Sequence, residues 1–473
     1  MKVPVLLPKI FNYPFTYETG LIKNLEIGDF VLVPFGKSQE IGVIWNKIHL
    51  TKKKIIIKNI EKKITKISLE KNFIKFINWF SMYNITSKGM VLKMCLGDKN
   101  NSLKTEKETS LEFIKKNKYN LNNEQKKSLG EIKKFGKNFN VTVLQGITGS
   151  GKTLVYFKRV EEIIKDNKQA LILLPEIFLT NQFKDRFVEY FGFEPAIWHS
   201  KITPKNKRKI WQGIIKNKIK IVIGARSSLL LPFKNLGIII VDEEHDPSYK
   251  QDEGLIYHAR DMAITRASFQ NISILLVTSV PSLETYNHTQ NKKYNLTRLK
   301  KRYSDFALPE AKIINLNLTK IKKNEFLTEE TLKLVNEYLD KKEQILFFIN
   351  RRGYSPFLIC KKCGFKHSCP NCSIFLTYHK AVDKLFCHHC GFKNKKDKKC
   401  KDTKNNCEFI MYGPGVEKVF DELKLKFPQK KIEIFSSDFL KTKNQSIKII
   451  KQIENNEIDI LVGTQMISKG FNF

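Results

Sequence analysis

Apolar positions near the amino terminus come in short runs bounded by Gly and Pro: VPVLLP, GDFVLVPFG and IGVIW (Ile41 to Trp45). That length and punctuation predict short β-strands. From about Leu69 to Met94 the spacing turns helical, as in FIKFINWFSMY, with one apolar face recurring every three or four residues. Residues 98–120 are polar, Lys-rich and short of β-branched side chains, which predicts a linker or a weak helix.

From Leu121 strand and helix patterns alternate. The run VTVLQG leads into a Gly-rich turn and the helical LVYFKRVEEIIKD; the apolar runs ALILLP, IKIVIG, LGIIIVDEE and ISILLVTS follow, with helix-like stretches between them. Continuous apolar strands separated by crossover helices predict a parallel sheet, an α/β doubly wound layer. A second α/β segment starts near Gln344 with QILFFIN, is interrupted by a Cys-rich stretch, and resumes with KIEIFSS and IDILVGTQ.

At 473 residues the chain has room for about two to four domains, each with its own core. Its 84 Lys and Arg against 47 Asp and Glu leave a net charge of +37, which points to a polyanionic partner such as nucleic acid or an anionic membrane face. A base composition favouring Lys, Asn and Ile codons would give the same excess. No stretch approaches the ~18 to 20 apolar residues needed to span a bilayer. The amino terminus is broken by Pro4, Pro8, Lys9 and Pro14 before a signal-peptide core could form. Cys95 stands alone, while the other eight cysteines lie between Cys360 and Cys407. One tight cluster suggests metal rather than a secreted disulfide framework, and the expected location is the cytosol.

Two motifs carry nucleotide chemistry. Gly146-Ile147-Thr148-Gly149-Ser150-Gly151-Lys152-Thr153 fits the phosphate-loop pattern GxxxxGK[ST] between a strand and a helix. Its glycines let backbone N–H groups curl around phosphates at a positive helix end. Lys152 can reach the β- and γ-phosphates, and the Thr153 hydroxyl can ligate Mg²⁺. About 90 residues on, LGIIIVDEEHD delivers Asp242 and Glu243 to the carboxyl edge of a strand, where ligands of α/β sheets bind. Asp242 is expected to hold Mg²⁺ through water, Glu243 to orient and deprotonate the attacking water, and His245 to sense the γ-phosphate. Together the motifs predict nucleoside triphosphate hydrolysis.

The cysteines read Cys360-x2-Cys363, Cys369-x2-Cys372, Cys387-x2-Cys390 and Cys400-x6-Cys407. Two such pairs supply the four thiolates of a structural Zn²⁺, so eight make two closed sites with no open position for catalysis. Binding is expected to supply much of this segment's folding energy. The fourth pair is stretched, and His367, His388 or His389 are alternatives to it. A dithiol redox enzyme does not need several CxxC units in succession.

These residues, in this order, resemble the PriA family of primosomal replication-restart DNA helicases (primosomal protein N′), in superfamily 2. Leu121 to Gln125 is similar to the family's adenine-reading motif, with Gln125 the base contact. LLPEIFLT (Leu173 to Thr180), GARSSLLLPF (Gly224 to Phe233) and NRRGYSP (Asn350 to Pro356) resemble further family motifs, and GTQMISKGFNF (Gly463 to Phe473) resembles motif V. The amino-terminal segment with VPFGKSQEIGVIW is similar to the family's domain for the 3′ end of a nascent strand.

The resemblance implies RecA-like helicase lobes that clamp ATP with Mg²⁺ and step 3′ to 5′ along single-stranded DNA at abandoned forks. A small β-rich domain precedes the lobes, and a two-zinc Cys-rich insertion interrupts them. The implied segments are 1–62 (β-rich, 3′-end binding), 63–118 (helical segment and linker), 119–318 (first lobe), 319–358 and 411–473 (second lobe) and 359–410 (zinc insertion). Implied DNA contacts are Arg226, Tyr249, Lys250, Tyr257, Arg260, Gly463 and Thr464. Cys360, Cys363, Cys400 and Cys407 would hold one zinc, and Cys369, Cys372, Cys387 and Cys390 the other. Implied partners are forked and single-stranded DNA, primosome proteins and single-strand-binding protein, without a membrane.

Several positions depart from the family pattern. The chain ends just after motif V, so motif VI with its arginine finger is not in it. Such a finger is worth ~10³ to 10⁵ in turnover, and the expectation is retained nucleotide binding with weak hydrolysis; the alternative to an active helicase is a truncated, hydrolysis-impaired relative that binds forked DNA and recruits primosome proteins. The segment before Leu121 is too short for the family's winged helix. Motif III reads Thr278-Ser279-Val280-Pro281-Ser282, lacking a hydroxyl that couples ATP to unwinding. Leu255 and Ile256 replace aromatic and Arg positions, and Phe11-Asn12-Tyr13 replaces Phe-Asp-Tyr in recognition of the 3′ hydroxyl.

Overall fold

The computed structural model describes residues 1–46, 57–97, 119–136, 138–175, 181–303, 309–315, 325–349, 357–360, 363–372, 374–379, 383–395, 400, 409–412, 415–436, 443–465 and 467. The winged-helix question, NRRGYSP, Cys407 and most of motif V lie outside them. The chain divides into two compact units, residues 1–307 and 308–473.

The first unit opens with an antiparallel sheet. Its strands are β1 (Lys2–Leu6), β2 (Phe15–Glu18), β3 (Asp29–Phe35), β4 (Ser38–Ile44) and β5 (Lys62–Ser68), in the order β2-β1-β4-β3-β5. Gly36, at φ 62°, supplies the left-handed turn of the tight β3–β4 hairpin, and β5 carries the sheet past residue 62. Helix α1 (Lys71–Tyr83) starts where the Glu70 carboxylate accepts from the backbone N–H groups of Asn72 and Phe73, both at 2.9 Å. It buries Phe73, Phe76, Ile77 and Phe80. Helix α2 (Lys88–Leu96) lies so close to the chain before it that a Cβ on Gly89 would meet the carbonyl oxygens of Leu7 and Lys9.

Next comes the expected βα alternation: α3 (Asn123–Phe135), β6 (Asn140–Gly146), α4 (Lys152–Lys165), β7 (Gln169–Leu173), α5 (Asn181–Phe191), β8 (Ala196–Trp198), α6 (Pro204–Ile215), β9 (Ile221–Gly224) and β10 (Leu236–Asp242). A short ladder, β11 (Lys250–Gln251) with β12 (Tyr257–His258), precedes α7 (Ala259–Gln270), β13 (Ser273–Thr278), α8 (Leu283–Gln290) and β14 (Asn295–Leu299). The seven long-range strands form one parallel sheet, β14-β6-β13-β10-β7-β9-β8. Its central strands are apolar on both faces, as a doubly covered sheet requires.

This sheet and the amino-terminal domain share one core. Trp211 Nε1 donates to the Cys95 carbonyl at 2.8 Å, and Phe30 meets the Trp211 ring edge-on at 5.9 Å. Arg266 on α7 is wholly buried, donates to the carbonyls of Leu229 and Leu231, and lies 4.2 Å over the Phe73 ring. Burial pushes its pKa down to about 9.

In the second unit α9 (Glu329–Asp340) leads into β15 (Ile345–Phe348). The Cys-rich segment follows, with β16 (Phe357–Cys360), the antiparallel β17 (Thr377–His379), β18 (Lys384–Phe386) and β19 (Lys393–Lys395), and β20 (Phe409–Tyr412) paired back on β16. The α/β pattern then resumes with α10 (Val416–Lys426), β21 (Ile432–Phe435), α11 (Lys443–Glu454) and β22 (Ile460–Gly463), giving a parallel β15-β22-β21 sheet. Val335, Leu339, Val419, Leu423, Ile460 and Val462 form its core. Among its described residues the insertion has a small apolar core, around Leu358, Leu376, Tyr378 and Leu385.

Candidate nucleotide site and zinc centres

Strand β6 ends at Gly146 and α4 begins at Lys152, so the loop between them faces the carboxyl edge of the sheet. Gly149 and Gly151 sit at φ 80° and 76°, a region that penalises any Cβ. A Cβ on Gly146 would lie 2.5 Å from Ser150 Oγ, and one on Gly151 would run into the Gln125 amide. Ser150 Oγ is buried and has no hydrogen-bond partner among the described residues. An orphaned hydroxyl beside N–H groups at a helix amino terminus fits an anionic ligand.

Lys152 Nζ donates to the Gly146 carbonyl at 2.8 Å and to that of Ile147 at 3.4 Å. Burial lowers its pKa, and the carboxylates of Glu243 and Asp242 oppose that shift, so the lysine and the acidic pair share one site. Asp242 accepts from the Tyr156 hydroxyl at 2.9 Å and from the Glu243 N–H at 3.0 Å. Burial, reinforced by Glu243, pushes its pKa up to about 7. The Tyr156 hydroxyl that donates to Asp242 also lies near Thr153, so it stands between the two expected Mg²⁺ ligands. The donor set, a threonine hydroxyl and an aspartate, suits a hard divalent cation.

Glu243 holds φ 49°, a conformation that non-glycine residues adopt at a cost of about 1–3 kcal/mol and mostly at functional sites. It lies 3.7 Å from His245 Nδ1, and burial raises its pKa. His245 Nδ1 is 2.8 Å from the Thr278 hydroxyl, which itself donates to the Val280 carbonyl at 2.7 Å. That hydroxyl has one hydrogen, so it accepts from His245 Nδ1. Strand β13 runs between β6 and β10, which sets Thr278 between the phosphate loop and Asp242.

Sequence reasoning missed Glu244. It is fully buried and accepts from the Ser282 N–H at 2.8 Å, the Thr285 hydroxyl at 2.9 Å and Arg260 Nη1 at 3.0 Å. One carboxylate therefore ties the DEEH loop to the start of α8 and to α7. An acidic residue within an acidic run carries no local signal of this. Tyr156 was missed too, because it reads as core.

The expected DNA contacts are placed unevenly. Lys250 is exposed, and Arg226 donates to its carbonyl at 2.5 Å. Tyr249 is a correction: it is wholly buried, with its hydroxyl 2.6 Å from the Asp242 carbonyl and 3.0 Å from that of Leu173. Tyr257 packs edge-on against Phe80 at 5.3 Å, and Arg260 is held by Glu244, so both are internal struts. A side chain with no free face cannot stack on or pair with a strand in this conformation. Gln125 departs from its expected role in the same way. It is fully buried, donates to the Ser150 carbonyl at 3.0 Å and accepts from the Asn122 N–H at 3.0 Å, so its amide braces the phosphate loop. Gly463 ends β22 in the second unit and Thr464 follows it, buried, with its N–H donating to the Phe435 carbonyl at 3.3 Å.

In the insertion, the thiols of Cys369, Cys372, Cys387 and Cys390 all lie within 4.8 Å of one another. Cys369 and Cys390 are 3.4 Å apart, and Cys372 and Cys387 3.3 Å. Zn–S bonds of about 2.3 Å in a tetrahedron place sulfurs about 3.8 Å apart, so the four fit one Zn²⁺. Cys360, Cys363 and Cys400 form a second group, with Cys363 and Cys400 at 3.6 Å. We expect Cys387→Ala to lower bound zinc by about one equivalent per chain, measured by elemental analysis. Unchanged zinc content would contradict the four-thiolate assignment. Among the described residues no helix is long and apolar enough to cross a membrane.

Family comparisons agree with this geometry. Residues 2–97 match a 3′DNA-binding domain (3′BD) model, 122–288 the DEAD/DEAH box helicase model, and 369–395 the PriA DNA helicase Cys-rich region (CRR) domain model. The DUF1998 helicase MrfA bound to DNA aligns with 74% of this chain and 43% of its own, at 15% identity and a TM-score of 0.43. The chain is 38% identical to the replication restart protein PriA of Haemophilus influenzae over 76% of this chain and 48% of that protein. It is 40% identical to that of Rickettsia conorii over 99% of this chain and 72% of that protein. With that similarity and the two PriA-type domains on either side of a helicase lobe, the chain belongs to the replication restart protein PriA family.

Proposed function

We propose that this chain is an ATP-dependent DNA helicase that recognises stalled or abandoned replication forks, moves 3′ to 5′ along single-stranded DNA and initiates primosome assembly. The supporting observation is the meeting of Lys152 with Asp242 and Glu243 at the carboxyl edge of a parallel sheet, in a chain of the PriA family. The loop N–H groups and Lys152 bind the β- and γ-phosphates of ATP. Thr153 and Asp242 hold Mg²⁺, which when bound neutralises charge on the phosphate oxygens. Glu243 orients the attacking water and takes its proton. His245 reports the γ-phosphate to Thr278. Glu244 and Arg260 carry that signal towards Lys250, whose carbonyl accepts from Arg226 on the segment after β9; these two are the strand contacts at the surface.

Residues 119–318 form the first lobe, 319–358 and 411–473 belong to the second, and 359–410 are a zinc-stapled knob for DNA and partner contacts. The β-rich domain holds the 3′ end of a nascent strand. Partners are forked and single-stranded DNA, primosome proteins and single-strand-binding protein, and the +37 charge is consistent with the polyanion. Strand displacement tests the reading: ATP-dependent separation is expected on duplexes with a 3′ single-stranded tail, and separation confined to 5′ tails would overturn the polarity.

Asp242 adds a pH signature. Its carboxyl, at about 7 in the fold against 3.8 ordinarily, favours the fold fully below about 4 and loses that contribution as pH rises through about 7. Mg²⁺ needs the ionised form. Binding of Mg²⁺ with nucleotide at pH 6.5 is therefore expected to release about three-quarters of a proton from Asp242, read by calorimetry in buffers of different ionisation heat. Heat independent of buffer would contradict it.

A further inference from the structure

After β14 the chain is strapped across the phosphate loop. The Leu299 carbonyl accepts from Ile147 N–H at 3.3 Å, and the Glu124 carboxylate takes the N–H groups of Lys300 and Lys301 at 2.8 and 3.1 Å. The Tyr303 N–H then donates to the Gly149 carbonyl at 2.9 Å. The strap is thus fixed to the loop at two points and to the first turn of α3 at two more. It brings the Arg302 side chain to 3.8–3.9 Å from the Cβ position of Gly149, and the Tyr303 ring to 3.6 Å from that of Gly151. The Tyr303 hydroxyl donates to the Asn120 carbonyl at 3.3 Å, which fixes the ring's tilt, yet the side chain stays 43% exposed.

A rigidly held aromatic face open to solvent, beside the glycines that curl around phosphates, suits a flat heteroaromatic group. Once the phosphates sit on the loop, the nucleoside must project from it, and the base gains by leaving water onto a π-face. Gln125, with its amide oxygen and one amide hydrogen bonded within the protein, leaves stacking as the stronger available contact for the base. We propose that Tyr303 is the base-stacking wall of the nucleotide site, taking the purine of a nucleoside triphosphate, with Arg302 beside the phosphates. This rests on the nucleotide reading above.

Calorimetric binding of a non-hydrolysable ATP analogue and of inorganic tripolyphosphate, each with Mg²⁺, tests it on the full chain. Stacking is worth enough per base that Tyr303→Ala should weaken the analogue by about tenfold. Tripolyphosphate, which has no base, should bind that variant unchanged, and Tyr303→Phe should match the parent for both ligands. Lys152→Ala should weaken both. If Tyr303→Ala leaves the analogue's affinity intact, or weakens tripolyphosphate equally, or if Tyr303→Phe loses as much as Ala, the stacking role is wrong while the phosphate site stands. If Lys152→Ala changes neither ligand, it is the nucleotide reading itself that fails.

Discussion

Replacing Lys152 with Ala is expected to cut ATP turnover by about 10²- to 10³-fold, the scale of losing one preorganised charge stabiliser from a site that excludes water. The ammonium opposes the raised pKa of both Asp242 and Glu243. Without it, two raised carboxyls face each other with less opposing charge, and Asp242, already at about 7, moves further towards its protonated form. The substitution removes a phosphate contact and also weakens the hold on Mg²⁺. Folding should survive, because the ammonium's hydrogen-bond acceptors are two backbone carbonyls of its own loop. Phosphate release measured beside a thermal melt checks both halves; turnover within tenfold of the parent would contradict the assignment.

Glu244→Ala is expected to have the largest effect on stability, about 3–5 kcal/mol, because it strands a buried charge. Arg260, whose side chain is only 8% exposed, would keep Asp261 but lose its buried carboxylate, and Ser282 N–H and the Thr285 hydroxyl would lose their acceptor. A drop in melting temperature on the order of 10 °C follows for a unit of this size. Glu244→Gln keeps the shape and one acceptor oxygen, and should lose less. Both variants should also blunt the response of turnover to DNA, since Glu244 joins the loop after Asp242 to α7 and α8. A melting shift within 2 °C for the alanine variant, roughly 1 kcal/mol or less, would show the cluster to be dispensable.

What could be read from the sequence was what is local in it. The phosphate loop, the DEEH run, the βα rhythm and the CxxC pairs each state their chemistry within about ten residues, and the family comparisons bear out the helicase fold and the Cys-rich region. The rest is tertiary. Glu244 finds Arg260, Ser282 and Thr285 at separations of 16, 38 and 41 residues, and no spacing rule links them. Tyr249 and Tyr257 sit in a polar loop, which suggests exposure, but packing under Asp242 and against Phe80 buries them. Gln125 reads as a side chain free to meet a base, whereas a capping box and the Ser150 carbonyl engage it. Strand order, which puts β13 and its Thr278 between the two nucleotide motifs, is set by crossover packing and leaves no trace in one strand's composition.

The most direct trial of the central claim is the rate of ATP hydrolysis by the intact chain with Mg²⁺, measured with and without forked DNA. A low rate that climbs when the fork is added, and that falls about 10²- to 10³-fold in both conditions with Lys152→Ala, is what the account predicts. Hydrolysis that ignores the DNA, or that persists undiminished without Lys152, would contradict it.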